Sequence, residues 1–382
     1  MQLRHVLEFV FWGSCGLLFY TFAGYGLLIS ALARLRQRSG NRVKADERES
    51  ASYPSVCVVL VACNEEAFIT DRLRNLLASQ YPPDKLRILL VSDGSTDGTA
   101  AQARCLQDAR IEILEQRERS GKAAGLNLAT AHSHADIVVF TDARQSFAAD
   151  AIARLAAHFA DPDIGAVSGA LEIAPAVSAT GGGVDAYWSY EKWLRAAESR
   201  WDSCIGCTGA IYALRRSLFT PIPEDTLLDD VVIPMQAAVN GARVIHDPFA
   251  VAIDPRPLEP EAETRRKRRT LAGGFQMALR YPGWLAPWRN RLWWQLLSHK
   301  YLRLVAPLFL ASALTCNFAL LGSAFYNVSF FAQTFLYACA ALGLAGWRTR
   351  ICTLASGFVF LNIMAVLGLF YYLSRRSERG WR

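Results

Sequence analysis

Charge is scarce in this chain. Lys, Arg, Asp and Glu make up 20% of its 382 residues and hydrophobic side chains 52%, a balance that excludes a purely cytosolic protein and points toward the membrane. The positive surplus is small too: 41 basic against 34 acidic residues leave +7, too little for a dedicated nucleic-acid binder. Internal repeats and low-complexity tracts are missing, which leaves no repeat architecture to consider. The nine cysteines form no pairing pattern. Cys15, Cys316, Cys339 and Cys352 fall in apolar stretches, and Cys57 and Cys63 lie in and beside a strand-like run. Cys204-Ile205-Gly206-Cys207 has redox or zinc half-site spacing, yet no second pair or suitably spaced His follows, so a structural loop is favoured over a ligand set. Gly121-Lys122 lacks the Gly-x-x-x-x-Gly-Lys-Ser/Thr pattern of a phosphate loop, which argues against ATP hydrolysis.

Long uncharged runs are what the chain does have. Phe9 to Ala33 is uncharged for 25 residues, whereas crossing the hydrocarbon core takes about 20. The run passes directly into Arg34, Arg36, Arg38, Arg42 and Lys44, with no small-residue cleavage site, so it reads as a retained anchor with its basic flank in the cytosol. Leu304 to Trp347, 44 uncharged residues, fits two spans joined near Tyr326-Asn327, and Ile351 to Ser374 adds 24 more. The expected organisation is an N-terminal membrane helix over 1–33, a cytosolic domain over 34–278, an interfacial amphipathic segment over 279–303, two or three membrane helices over 304–374 and a basic tail over 375–382. Tyr281 to Trp294, with Trp284, Trp288, Trp293 and Trp294 among Arg289 and Arg291, reads as a helix lying at the headgroup level.

Within the central domain, short β-branched runs alternate with helical stretches, the pattern of a mostly parallel α/β sheet with crossover helices. Val56–Val61, Leu86–Val91, Ile111–Leu114 and Ile137–Phe140 read as strands, and Ala67–Gln80 and Gly121–Ala131 as helices. Ligands of such sheets bind beyond the carboxyl ends of the strands. Those ends carry Asn64-Glu65-Glu66, Asp93-Gly94-Ser95-Thr96-Asp97-Gly98 and Thr141-Asp142. One acid there is ordinarily a turn former or cap, and Ser95-Thr96-Asp97 suits a cap, but three on one rim suggest a site.

Asn64-Glu65, Asp93 to Thr99, Gly121-Lys122-Ala123-Ala124-Gly125-Leu126-Asn127 and Thr141-Asp142, in this order, resemble the nucleotide-sugar half of family 2 glycosyltransferases. Cys207-Thr208-Gly209-Ala210 and Leu228-Asp229-Asp230 are similar to the Thr-Gly-Ala and Glu-Asp segments of the membrane-embedded polysaccharide synthases of that family. The resemblance covers roughly residues 54–274 and implies a GT-A fold with membrane helices at both ends. It implies that Asn64, Glu65, Asp93 and Lys122 bind the nucleotide sugar, and that Asp142 holds Mg2+ or Mn2+ across the diphosphate. It further implies that Asp230, with Asp229 beside it, is the base toward the acceptor, and that Thr208, Gly209, Arg266 and Arg269 line the acceptor and diphosphate side. From the residues alone, Lys122 also fits a solvated helix start, Asp229-Asp230 a favourable N-terminal turn, and Arg265 to Arg269 a basic surface patch.

Two positions depart from the family pattern. Arg144 stands where the second acid of Asp-x-Asp is expected, a fixed cation beside the phosphates or an outward-turned surface residue. Arg266 and Thr270 replace Gln and Trp of Gln-x-x-Arg-Trp, which removes a ring on which an acceptor sugar could stack. The resemblance implies an inverting hexosyltransferase of the bacterial inner membrane with a cytosolic catalytic domain. Its partners would be a nucleoside diphosphate sugar (a UDP-sugar first), a glycan or lipid-linked acceptor and membrane lipids, with an accessory export subunit compatible and nucleic acid not. Single transfer onto a polyprenyl phosphate, or a lapsed nucleotide-sugar-binding assembly subunit, are the alternatives.

Overall fold

Val56–Ala62 is buried at all seven positions, so its side chains divide between two cores by the period of a strand. Val56, Val58, Leu60 and Ala62 join one cluster, and Cys57, Val59 and Val61 the other. A computed structural model describes residues 2–39, 53–173, 182–254 and 260–374 around this strand. The helices are α1 (Gln2–Phe19), α2 (Tyr25–Ser39), α3 (Glu66–Leu77), α4 (Thr99–Arg104), α5 (Lys122–His132), α6 (Ala151–Ala157), α7 (Gly182–Trp201), α8 (Asp229–Val239), α9 (Pro260–Arg280), α10 (Trp293–Leu296), α11 (Leu302–Ala319), α12 (Ala324–Leu344) and α13 (Arg350–Leu373). The strands are β1 (Val56–Ala62), β2 (Leu86–Asp93), β3 (Ile111–Gln116), β4 (Ile137–Thr141), β5 (Ser146–Phe147), β6 (Ile164–Ile173), β7 (Ile211–Arg215) and β8 (Arg243–Asp254).

The strands form one sheet in the order β3-β2-β1-β4-β7-β6-β8-β5. From β3 to β4 every pairing is parallel, so the carboxyl ends of β1, β2 and β4 share a rim. β7 then runs antiparallel to β4, pairing Ile211 with Thr141. This reversal delivers the residues just before β7 to the rim where β4 ends. β6 pairs with β7 antiparallel and with β8 parallel, and β5 with β8 antiparallel, so the second half of the sheet is mixed.

Among the described residues, four helices are long and apolar enough to cross a membrane: Gln2–Arg36, Trp293–Ala319, Ala324–Leu344 and Arg350–Leu373. The link between the second and third is Leu320 to Ser323, with Gly322 at φ 117°, and not Tyr326-Asn327, which already lie in α12. An unbroken apolar run offers little to mark its turn except that glycine. The expected interfacial helix over Tyr281–Trp294 is also corrected. Pro282 opens a short 3-10 turn, Pro282–Leu285, and helix resumes only at Trp293. Trp284 is 8% exposed and stacks on Tyr281 at 4.3 Å, facing the domain core, whereas Trp288 is 84% exposed. Arg42, Lys44 and the tail 375–382 lie outside the described residues.

The glycines of the Gly121–Asn127 segment have separate physical reasons. Gly121 sits at φ 99°, a conformation that favours glycine, and ends the loop before α5. Gly125 is where α5 touches the sheet: a Cβ there would lie 2.7 Å from Val61 Cγ1. Gly125→Val should therefore lower the unfolding midpoint in detergent by the equivalent of about 1–3 kcal/mol, the usual range for overpacking. Gly16→Ala, in open space, serves as the control, and equal midpoints for the two variants would refute the contact.

Candidate active site

The rim is held by side-chain to backbone bonds between loops. Asn64, at φ 56°, is of a residue type that tolerates left-handed backbone. Its Oδ1 accepts from Thr96 N at 2.9 Å, its own N–H donates to Ser95 Oγ at 3.2 Å, and Glu65 N–H donates to Thr99 Oγ1 at 2.9 Å. The loops after β1 and β2 are thus stapled together. Asp97 serves as the expected local cap, its Oδ1 accepting from Thr99 N at 3.0 Å. Asp93 is 1% exposed, and its two oxygens accept from Ser120 N at 2.6 Å and Gly121 N at 2.9 Å. Asp93 therefore fixes the approach to α5, while each oxygen keeps a second lone pair for a ligand.

That approach aims Lys122 into the rim. Its Nζ lies 3.0 Å from Asp142 Oδ1 and 3.2 Å from Asp229 Oδ2, with the side chain 12% exposed. Lys122 is thus no solvated helix start. Burial opposes its charge, but Asp142 and Asp229 more than reverse that and raise its pKa. Burial likewise opposes ionisation of Asp142, yet Lys122, Arg266 and Arg269 outweigh it and hold its carboxyl below the usual range. Asp230 moves the other way. Burial first and the neighbouring Asp229 second raise its pKa, against Lys122, Arg195 and Lys300. Asp229 is the ion-pair partner and Asp230 the carboxylate with raised proton affinity, both in the first turn of α8.

The antiparallel β7 brings Thr208 and Gly209 to Asp230. A Cβ at Gly209 would lie 3.0 Å from Asp230 Oδ2, and Cys207 N–H donates to the Asp230 carbonyl at 2.7 Å. Thr208 Oγ1 accepts from Arg195 Nη1 at 2.8 Å. On the far side, Glu65 has a raised pKa, chiefly from burial, with exposed Arg144 opposing the shift. Arg266 and Arg269 on α9 act on Asp142, whereas Arg268 turns to α13, its guanidinium 5.0 Å from the Tyr371 ring centre. The basic run is therefore divided between the site and a membrane-type helix.

Several site residues had no signal in the sequence. Arg195 lies on α7, outside every motif. Gln276 accepts at Oε1 from Leu227 N at 3.0 Å and donates to the Asp225 carbonyl at 2.9 Å, and Arg280 grips the Asp225 carboxylate at 2.8 and 2.7 Å. Gly273 packs on Leu228, to which a Cβ would come within 2.5 Å. Together α9 clamps the loop that leads into Asp229-Asp230. Cys204 and Cys207 are buried and free, and burial pushes the Cys204 thiol up to about 12. No cluster of three or more His, Cys, Asp or Glu suited to a metal occurs among the described residues. Asp142 fits a divalent ion only as a partial ligand: one oxygen is held by Lys122, its side chain is 39% exposed, and bound phosphates and water would have to complete the shell.

A family model described as glycosyl transferase family 2 matches residues 57–221. The chain carries a glycosyltransferase family 2 domain. The domain resembles an N-acetylglucosaminyltransferase of Rhizobium meliloti (strain 1021), 28% identical over 265 residues that cover 62% of this chain and 61% of the relative. It also resembles the beta-monoglucosyldiacylglycerol synthase of Synechocystis sp. (strain ATCC 27184 / PCC 6803 / Kazusa), 26% identical over 276 residues, 64% of this chain and 54% of that one. The chain thus spans little more than half the length of these curated relatives. Among solved structures, the mannosyltransferase PcManGT from Pyrobaculum calidifontis in complex with GDP-Man and Mn2+ superposes with a TM-score of 0.71 at 27% identity, over 96% of this chain and 99% of that one. The glycosyltransferase domain has the GT-A fold.

Removing the central cation isolates its effect. Lys122→Met leaves Asp142 and Asp229 facing each other unpaired, and should lower stability at neutral pH by about 3 kcal/mol, the low end for a broken buried pair because Asp142 is partly exposed. Asp142 has a lowered pKa, so its contribution is present above the ordinary value of 3.8 and is lost as pH falls through the lowered one. The gap between variant and wild type should accordingly narrow in acid. Denaturant unfolding in steps from pH 7 down to about pH 2 checks this, and a gap that stays constant over the whole range would contradict the ion-pair account.

Proposed function

We propose that this chain is a membrane-bound inverting glycosyltransferase that moves a sugar from a nucleoside diphosphate sugar to a polysaccharide or glycolipid acceptor. The observation that carries the reading is the Lys122 bridge between Asp142 and Asp229, with Asp230, of raised proton affinity, next in the chain. In the proposed reaction Asp230 takes the proton of the acceptor hydroxyl as its oxygen attacks the anomeric carbon. The bond from that carbon to the diphosphate oxygen breaks, and the electron pair leaves with the nucleoside diphosphate. Attack opposite the leaving group inverts the configuration. Lys122, Arg266 and Arg269 are the cations available to the developing phosphate charge. A Mg2+ or Mn2+ shared by Asp142 and the phosphates would supply Lewis-acid stabilisation of the same oxygens. Asn64, Glu65 and Asp93 lie where the nucleoside would rest, and Thr208 and Gly209 flank the acceptor side.

A UDP-sugar is the first reading of the donor. GDP-mannose is the second, favoured by the GDP-Man bound in the archaeal mannosyltransferase that resembles nearly the whole chain. The deciding experiment follows UDP and GDP release by the full chain in nanodiscs across a panel of donors, with and without EDTA. Asp230→Asn should cut release by about 100-fold or more, because the amide keeps the shape and cannot take the proton, while nucleotide binding persists. Near-normal turnover in that variant removes Asp230 from its role, and EDTA-insensitive turnover removes the metal.

We further propose that the catalytic domain faces the cytosol of a bacterial inner membrane, where nucleotide sugars are made. Arg268 beneath Tyr371, and Gly368, whose Cβ would come 3.0 Å from Ala272 N, support an end of α13 on the same side as that domain. Four full crossings would put this end on the opposite side, so the placement requires that one of the three C-terminal apolar helices, Trp293–Ala319 first, lies in the interface and does not cross; basic residues after α13 then obey the positive-inside rule. A single cysteine placed at Ser374 should resist impermeant maleimide in intact cells and label after permeabilisation. Labelling from outside would reverse the assignment.

A further inference from the structure

Between the membrane-type helices and the glycosyltransferase domain lies a buried ionic group that none of the roles above uses. Glu198 on α7 and His299, in the turn Leu297–Tyr301 ahead of α11, are both 0% exposed. Glu198 Oε1 accepts from Tyr25 Oη of α2 at 2.6 Å and lies 2.9 Å from His299 Nδ1, and its Oε2 accepts from Ile205 N at 3.2 Å. His299 Nε2 lies 3.1 Å from Glu191 Oε2, and Arg303 pairs with the other oxygen of Glu191. One carboxylate therefore touches the N-terminal membrane helix, the second membrane helix and the loop that runs to the acceptor side.

We propose that Glu198 is a positioning residue for sugar transfer, holding the Cys204–Gly209 loop, and through it Asp230, in register with the docked membrane helices. The path is short and made of named bonds. Ile205 N–H is held by Glu198, Cys207 N–H donates to the Asp230 carbonyl, and Thr208 is held by Arg195 one turn earlier on the same helix. Packing keeps α2 in place beside this group: a Cβ at Gly26 would lie 2.7 Å from the Trp193 ring and 2.9 Å from Tyr190 Oη. A buried ion pair is seldom more stabilising than apolar packing of similar volume. Three directed bonds from one carboxylate, in contrast, fix an orientation that apolar packing does not. The nucleotide side is anchored separately, by Asn64 on Thr96 and Asp93 on Gly121.

The inference rests on the transfer reading above, and the test separates the two. In the full chain in nanodiscs, Glu198→Ala should lower kcat by about tenfold or more, since small misplacements of a catalytic group carry penalties of that size. The donor KM should stay within about twofold, and amide exchange at Ile205 and Cys207 should accelerate. Glu198→Gln, which keeps an acceptor for Ile205 N–H, should recover part of kcat. Tyr25→Phe deletes a single hydroxyl, so it tests the same link should the alanine variant fail to fold, with a loss of about threefold in kcat alone. Wild-type kcat per folded molecule in either foldable variant, or a donor KM that rises in step with the loss of kcat, overturns the proposal. Absence of transfer by the wild type would instead sink the reading on which it rests.

Discussion

The site depends on one buried lysine. Lys122 ties the end of β4 to the start of α8, and it does so by charge: Asp142 on one side, Asp229 on the other. Two carboxylates brought that close without a cation would repel, and one would take up a proton. With Lys122 between them, Asp142 is held below the usual carboxylate range, whereas Asp230, one residue beyond the pair, has its proton affinity raised by burial and by Asp229 against the pull of Lys122. The rest of the rim is arranged to deliver it: Asp93 draws in the loop before α5, and Gly125 lets α5 settle on Val61.

A second constraint comes from the membrane side. Small residues mark where the apolar helices meet the domain, as they do where helix backbones approach closely: Gly26 against Trp193, Gly274 against Leu304, and Gly368 against Leu271 and Ala272. The last two contacts involve α9, the helix that also carries Arg266 and Arg269 and clamps the loop before Asp229 through Gln276 and Arg280. One helix therefore meets the membrane-type helices on one face and supports the loop that leads into Asp229-Asp230 on another. Arg268 against Tyr371 and Arg266 near Asp142 are the two faces of the same basic run.

The parallel half of the sheet was legible in the sequence because its elements are local. Short β-branched runs mark the strands that lead to Asn64, Asp93 and Asp142, and the parallel pairing puts those ends together. The division of labour between Asp229 and Asp230 was not legible, since adjacent residues of a helix start carry no spacing signal and only Lys122, more than a hundred positions earlier, distinguishes them. Arg195, Glu198 and Gln276 were invisible for a related reason: each lies outside any motif, and its partners, Thr208 for Arg195, Tyr25 and His299 for Glu198 and Leu227 for Gln276, are set by tertiary packing. The tryptophan-rich stretch misled in the opposite way. Its composition suits an interface, but Pro282 and Pro287 interrupt helix formation, and the packing of Trp284 on Tyr281 turns one ring inward.

Arg144 in place of a second acid changes the electrostatics and leaves the rim intact. Lys122, Arg144, Arg266 and Arg269 stand beside the carboxylates of Glu65, Asp142 and Asp229. Cations so placed suit a diphosphate, whose charge they offset. They do not suit a metal held by protein alone, because Arg144 and Lys122 both repel a divalent ion near Asp142. A cation at this rim would need the phosphates to bring its remaining ligands and to screen those neighbours. Metal and donor would then bind as a unit, each weak without the other, and the fixed guanidinium groups would hold the diphosphate's charge throughout the transfer.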